Sequence, residues 1–233
     1  MIYKSYELTK VNENYNVIDK STESGKFFYI DNFYKNPELL SSWVLEHPRV
    51  YWKMRGGLET RNGIDYYDCR LSIETPEFFD TDNLNKKVLD IIGNIFDETY
   101  ETNYHNLAFN LFKNIGKKNT KFQHMPHTDN IVSGQKTALI YLDKVQNGGT
   151  MTYRGKQKLE LGNEEENLFV DVENNYEFDT LLESKFNRLV IFDSDKLHGA
   201  YINDYSKYVN DWRVTQVFFL TPVVKNKVQK TII

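Results

Sequence analysis

The sequence predicts a mainly β member of the α+β class, and three observations carry that expectation. Short apolar strands separated by turn residues dominate from about residue 105 onward, two helical periodicities sit in the first hundred residues, and the composition suffices for a buried core. Of 233 residues, 40% are hydrophobic and 15% aromatic, which excludes a disordered tail or a collagen-like repeat. No internal repeat or low-complexity linker marks a boundary. The expectation is therefore one domain over 1–233, with an α+β lead-in at 1–104 and a strand-rich core at 105–222.

Taken in order, KFFYIDNF (26–33) alternates as a strand, and NPELLSSWVLEH follows with apolar residues at helical spacing. Asn36 followed by Pro37 is a helix-start signal, because proline at the first helical position gives up an amide that has no partner there. MRGGLETRNGIDYYDCRLS reads as a Gly-rich loop leading into a short strand. A second helix is expected across LNKKVLDIIGNIFDETY, where Leu84, Val88, Ile91, Ile92 and Phe96 share one face. Then come HNLAFNLF, KTALIYLD, GTMTYR, NRLVIFDS and WRVTQVFFL, the rhythm of a β-sandwich or barrel. The acidic stretch 154–187 reads as an irregular connection between two core strands, either plainly solvated or covering a site mouth.

The charge balance narrows the partners. With 29 basic and 33 acidic residues the net charge is −4, which offers no footprint for wrapping nucleic-acid phosphates. No apolar run reaches the roughly 18 residues of a membrane span, and the start MIYKSYELTK lacks a signal-peptide stretch. A cytoplasmic protein is expected. Cys69 is the single cysteine, so any metal must sit on His, Asp and Glu.

The chemistry collects around HMPHTDN at 124–130. Residues two apart on an extended segment project to the same side, so His127 and Asp129 place an imidazole and a carboxylate together. RLVIFDSDKLHGAY brings His198 just after an apolar strand, and a further strand carries Arg213. Two imidazoles and one carboxylate with open positions form the facial triad favoured by non-haem Fe(II) oxygenases. A planar guanidinium nearby suits a carboxylate.

From His127-Thr128-Asp129-Asn130, through Tyr141-Leu142-Asp143 and Asn147-Gly148-Gly149-Thr150, to NRLVIFDSDKLHGAY and WRVTQVFF, the chain resembles the Fe(II)/2-oxoglutarate-dependent dioxygenases, in their prolyl-hydroxylase-like branch. The resemblance implies a double-stranded β-helix, or jelly roll, with the N-terminal helices packed on one sheet. It implies Fe(II) on His127, Asp129 and His198, and 2-oxoglutarate held by Tyr141 and Arg213, with Thr215 adding a hydroxyl from the same strand face. Asn110 stands where many relatives carry a tyrosine. The implied reaction uses O2, converts 2-oxoglutarate to succinate and CO2, and hydroxylates a small molecule or a protein residue. Asp129 in the carboxylate position favours hydroxylation over halogenation. The 15 positions from His198 to Arg213 exceed the usual spacing, as an inserted loop would produce. Arg188 is the other arginine to weigh, but it precedes the strand that delivers His198.

Other readings stand beside this one. A jelly-roll binding module that has lost catalysis would not need His127, Asp129, His198 and Arg213 together, and a zinc hydrolase on the same ligands would not need Tyr141 and Arg213. His124 is expected to be exposed, while His47 and His105 are expected to be structural. Arg55 and Arg61 are either solvated or hold an anionic substrate group. Trp43, Trp52 and Trp212 mostly fill the core.

Overall fold

The computed structural model describes residues 5–46, 52–55, 58–61, 64–73, 81–102, 108–114, 122–129, 132–155 and 169–223. The lead-in contains α1 (Ser5–Leu8), β1 (Val17–Asp19), β2 (Phe27–Ile30), α2 (Pro37–Glu46), β3 (Trp52–Arg55), β4 (Leu58–Arg61), β5 (Ile64–Ile73), α3 (Thr81–Phe96) and β6 (Tyr100–Glu101). The core continues with β7 (Ala108–Asn114), β8 (Phe122–His124), β9 (Lys136–Tyr141), β10 (Gly149–Arg154), β11 (Phe169–Asp171), α4 (Val172–Asn175) and β12 (Glu177–Glu183). It ends with β13 (Arg188–Asp193), β14 (His198–Tyr201), a 3₁₀ turn at Tyr205–Tyr208, and β15 (Arg213–Pro222).

A large sheet runs in the order β1-β2-β13-β9-β15-β7-β5-β3, with β4 added on β5 and β6 on β15. Facing it are the small sheet β12-β10-β14 and the pair β11-β8, all antiparallel. A bridge between His127 and His198 ties the β8 segment to β14. This is the mainly β architecture of a double-stranded β-helix.

The central strands explain themselves by burial on both faces. On β9, Ala138 and Ile140 pack toward the helices, while Leu139 and Tyr141 face the barrel interior. On β13, Leu189 and Ile191 take the helix side, and Val190 and Phe192 the interior. Strands covered on both sides read as continuous apolar runs rather than clean alternation, which is the pattern of TALIYL and RLVIF. The helix-side cluster includes Leu40 and Val44 of α2 and Leu84, Val88, Ile91 and Ile92 of α3. The N-terminal helices therefore pack on one sheet, as expected.

Two segments depart from their reading. The Gly-rich stretch carries β3 and β4 where a loop was expected, and the short strand expected after it is the ten-residue β5, which pairs along seven residues of β7. Its Asn62-Gly63 pair is a hairpin signal, and β4 and β5 pair across it, while the long-range ladder with β7 covers the other edge of β5. The acidic connection is also not irregular throughout. Its second half forms β11, α4 and β12, and β12 is a full strand of the small sheet. A register shift between Met151 and Tyr153 breaks the pairing there, and a bulge of that kind interrupts the period-two pattern by which strands are recognised.

Gly148 and Gly149 open β10 where three backbones converge. Gly148 has φ +86°. A Cβ on Gly148 would collide with the Tyr201 carbonyl, and one on Gly149 with the Leu182 carbonyl. Only glycine permits so close an approach.

Candidate metal and anion site

The His127 and His198 backbones exchange two hydrogen bonds, each N–H donating to the other's carbonyl at 2.8 Å. The Asp129 N–H donates to Ser194 O at 2.9 Å. Three ligand candidates are thus fixed by backbone pairing before their side chains are considered. His127 Nδ1 lies 3.1 Å from Met125 O, and His198 Nδ1 lies 2.8 Å from Lys196 O. A carbonyl can only accept, so each Nδ1 carries a proton, and each Nε2 is the nitrogen left to face Asp129 or a metal. Those Nε2 atoms turn to the Asp129 carboxylate, at 3.6 Å for His127 and 3.2 Å for His198. Donor atoms of all three residues lie within 4.8 Å of one another.

Asp129 is shaped for a cation. Burial alone would raise its carboxyl, but the His198 hydrogen bond, the two imidazoles and the Thr137 hydroxyl together hold it below the ordinary value. Thr137 donates to Asp129 Oδ2 at 3.1 Å and shares a 2.8 Å hydrogen bond with Ser194. Neither Thr137 nor Ser194 was singled out in the sequence, although Ser194 lies inside IFDSDKLH. His198 is 7% exposed and His127 42%, so the centre is closed on one side and open on the other. Two imidazole Nε2 atoms, a carboxylate and an open face fit a divalent metal with free coordination positions.

At the opposite end of the interior sits Arg213, 5% exposed at the start of β15. Its Nη2 donates to Gly149 O at 3.1 Å, the one hydrogen bond of its guanidinium among the described residues. Its guanidinium carbon lies 5.9 Å from the Tyr141 ring centroid. Thr215, two residues along, is 1% exposed, and its hydroxyl has no hydrogen-bond partner. A buried guanidinium with uncommitted donors beside an unpartnered hydroxyl is costly unless a ligand completes it. Those donors fit a carboxylate.

Tyr141 is fully buried, and its hydroxyl bonds Thr150 Oγ1 and Leu182 O, both at 2.9 Å. Its phenol rim is thereby already engaged, and the Thr150 hydroxyl joins the same corner. Burial, only partly offset by Arg213, pushes the Tyr141 phenol up, so it stays a neutral donor. Thr215 pairs with Tyr141 on one side and Asn110 on the other, which puts the three in one row of the sheet. The Asn110 side chain lies outside the described residues.

The long spacing between His198 and Arg213 has a structural cause. The intervening residues form the 3₁₀ turn, with Tyr205 and Tyr208 fully buried. Gln123 clamps Ile202 through both backbone groups, at 2.8 and 2.9 Å, and Asn147 clamps Asp204 at 3.0 and 2.6 Å. The Tyr208 hydroxyl donates to Asp143 Oδ1 at 3.1 Å, while Asp143 Oδ2 has no partner. Burial raises the Asp143 carboxyl despite the opposing effects of Arg213 and Tyr208.

Arg188 is committed elsewhere. Its guanidinium grips Asp31 at 2.6 and 3.2 Å and lies 4.6 Å from the Tyr29 ring centroid. His124 is half-buried on β8 rather than exposed, paired with Phe169 of β11. Cross-strand pairing, invisible in the local sequence, accounts for that correction. Trp43 and Trp212 pack against the core. His47 and His105 lie outside the described residues, as do the side chains of Arg55, Arg61 and Trp52, whose backbones fall on β3 and β4.

No family model and no curated protein matches the chain. Among solved structures it is similar to the non-haem alpha-ketoglutarate-dependent epimerase SnoN from nogalamycin biosynthesis, with 14% identity, 84% of this chain and 78% of that one covered, and a TM-score of 0.51. EctD from S. alaskensis with bound Fe aligns at 10% identity over 91% and 83% of the two chains, TM-score 0.49. HygX from Streptomyces hygroscopicus with nickel and 2-oxoglutarate bound aligns at 11% over 87% and 84%, TM-score 0.48. The chain has the SnoN fold, and on it the His127, Asp129 and His198 side chains form a candidate facial triad.

Proposed function

We propose that the protein is an Fe(II)- and 2-oxoglutarate-dependent oxygenase that hydroxylates a primary substrate while releasing succinate and CO2. One observation carries the reading: a ligand triad and an incomplete buried anion site face the same interior. Thr137, which holds the triad's carboxylate, and Tyr141, beside Arg213, lie four residues apart on β9. That is about 13 Å of strand, the scale of a short dicarboxylate held between a metal and an arginine.

In this reading His127, Asp129 and His198 hold the metal. Arg213 and Thr215 take the distal carboxylate of 2-oxoglutarate, with Tyr141 and Thr150 closing that corner. Asn110 is proposed to line the same row. Bound iron with 2-oxoglutarate and O2 supplies the oxidising power. The chain's own part is to keep coordination positions open on the His127 side and to fix the cosubstrate's direction. Leu139, Val190 and Phe192 exclude water between the two ends. The Tyr141-Leu142-Asp143 and Asn147-Gly148-Gly149-Thr150 segments support a place in the prolyl-hydroxylase-like branch, and Asp129 supports hydroxylation. We take the whole chain as one such domain.

Anaerobic titration of metal-free protein with Fe(II) and then 2-oxoglutarate tests the reading. A visible charge-transfer band that appears on the second addition and is lost in His127→Ala is the expected result. Well-folded protein that gives no band, and instead holds zinc, would sink it in favour of a hydrolase.

A further inference from the structure

Arg213 has a buried carboxylate for a neighbour and does not pair with it. The Leu142 N–H donates to Val214 O at 2.8 Å and carries the β9–β15 ladder past its pair of Thr215 with Tyr141. The next position on that register sets Asp143 opposite Arg213, and directly opposed residues of an antiparallel pair have Cβ atoms about 4.5–5.5 Å apart. Both residues are 5% exposed. A carboxylate and a guanidinium buried so close together would be expected to close into a two-pronged ion pair. Arg188 and Asp31 do so, at 2.6 and 3.2 Å.

Asp143 and Arg213 stay apart. Among the described residues the guanidinium makes its one hydrogen bond to Gly149 O, and Asp143 Oδ2 has no partner. An open pair at this depth leaves both groups short of hydrogen bonds, which costs free energy. A third group must therefore hold it open. The Tyr208 hydroxyl donates to Asp143 Oδ1 at 3.1 Å, the one side-chain hydrogen bond this carboxylate receives among the described residues. The Val145 and Val214 amides also face it, but Tyr208 reaches it from outside the ladder. Tyr208 belongs to the 3₁₀ turn inserted between His198 and Arg213, and that turn is pinned by Gln123 on Ile202 and by Asn147 on Asp204. The Tyr141 hydroxyl is engaged by Thr150 and Leu182 O, so it does not share the task.

We propose that Tyr208 is a positioning residue: through Asp143 it keeps Arg213 from closing into an internal ion pair, and so keeps the arginine open to a dicarboxylate. That the dicarboxylate is 2-oxoglutarate rests on the oxygenase reading; the latch rests on the arrangement of Tyr208, Asp143 and Arg213. Its two members act with opposite sign. Without the Tyr208 hydroxyl, Asp143 turns to Arg213 and competes with the ligand. With asparagine at 143 no charge competes, and Tyr208 has nothing to hold off.

Calorimetry on the Mn(II)-loaded protein tests this with 2-oxoglutarate and with glutarate, which has the same distal carboxylate but no keto group; succinate formation is read separately with Fe(II). Tyr208→Phe should weaken both ligands by about fivefold, and Asp143→Asn should tighten them by about threefold over wild type. The double variant should match Asp143→Asn within about twofold, because the two changes act on one contact. Mn(II) affinity should stay unchanged throughout, which also reports that each variant is folded. A merely structural Tyr208 would weaken binding in either background. Unchanged binding in Tyr208→Phe, a loss that persists in the double variant, or weaker binding in Asp143→Asn would overturn the proposal. The readings fail separately. Succinate formation without the rescue removes the latch alone, the rescue without succinate upholds the latch and removes the oxygenase reading, and no dicarboxylate binding to wild type or any variant removes both.

Discussion

The two ends of the barrel interior are organised in opposite ways. At the triad end every side chain has its partner: both Nδ1 atoms face carbonyls, and Asp129 is held by Thr137 and the two imidazoles. At the arginine end the groups are buried but incomplete: among the described residues the Thr215 hydroxyl and one Asp143 oxygen have no partner and the Arg213 guanidinium makes one hydrogen bond. The first arrangement presents a finished ligand set. The second is stable only because the surrounding fold holds it, and it gains most from an incoming carboxylate. Under the proposed oxygenase reading, the difference separates what metal binding would need from what cosubstrate binding would need.

The sharpest way to break the comparison is Arg213→Ala. Removing a buried partner of a carboxylate should raise the 2-oxoglutarate dissociation constant by roughly a hundredfold, equivalent to about 2.7 kcal/mol. The metal affinity should move by less than about threefold, because nothing at the triad touches Arg213. Calorimetry with Mn(II), then with 2-oxoglutarate, measures both. If the two affinities fell together, the ends would not be independent.

Thr137→Val sharpens the same contrast from the other side. Valine keeps the shape and removes the hydroxyl that orients Asp129. Groups that hold a ligand from behind typically contribute about tenfold to hundredfold in metal affinity, and the low end applies here because two imidazoles still face the carboxylate. The expected change is about tenfold in Mn(II) affinity, with 2-oxoglutarate binding to the metal-loaded variant nearly unchanged.

The legibility of the two ends in sequence follows the same division. His127 and Asp129 sit two apart and His198 ends an apolar run, so local spacing reveals the triad. The β9, β13 and β15 strands were readable for a similar reason, since burial on both faces leaves a continuous apolar signature. The arginine end is assembled from β9, β10, β12, β15 and the 3₁₀ turn, and no local pattern announces that Tyr208 meets Asp143 or that Tyr141 meets Leu182. The small-sheet strand β12 was hidden by its bulge and its acidic neighbours. β3 and β4 were hidden by glycines that mark turns between strands as readily as loops, whereas the strand that follows them was legible as β5.

Arg188 supplies the control for Arg213. Both strands flank Tyr141, with Arg188 paired to it in register and Thr215 paired on the other side. Arg188 is saturated by Asp31, which Lys185 also contacts at 2.7 Å. Asp31→Asn should therefore destabilise the fold without touching either ligand, by about 1–2 kcal/mol for a partly buried pair. The Arg188 guanidinium, opposed in part by burial and aided by Lys185, holds the Asp31 carboxyl below its ordinary value of 3.8. A carboxyl lowered on folding contributes stability that is full above the unfolded value and is lost as pH falls through the folded one. The gap between wild type and Asp31→Asn in urea unfolding should thus stay constant from pH 7 to pH 5 and narrow only below about pH 4. A gap that closed between pH 7 and pH 6 would assign the effect to a histidine instead, and Arg188 would no longer serve as the satisfied counterpart of Arg213.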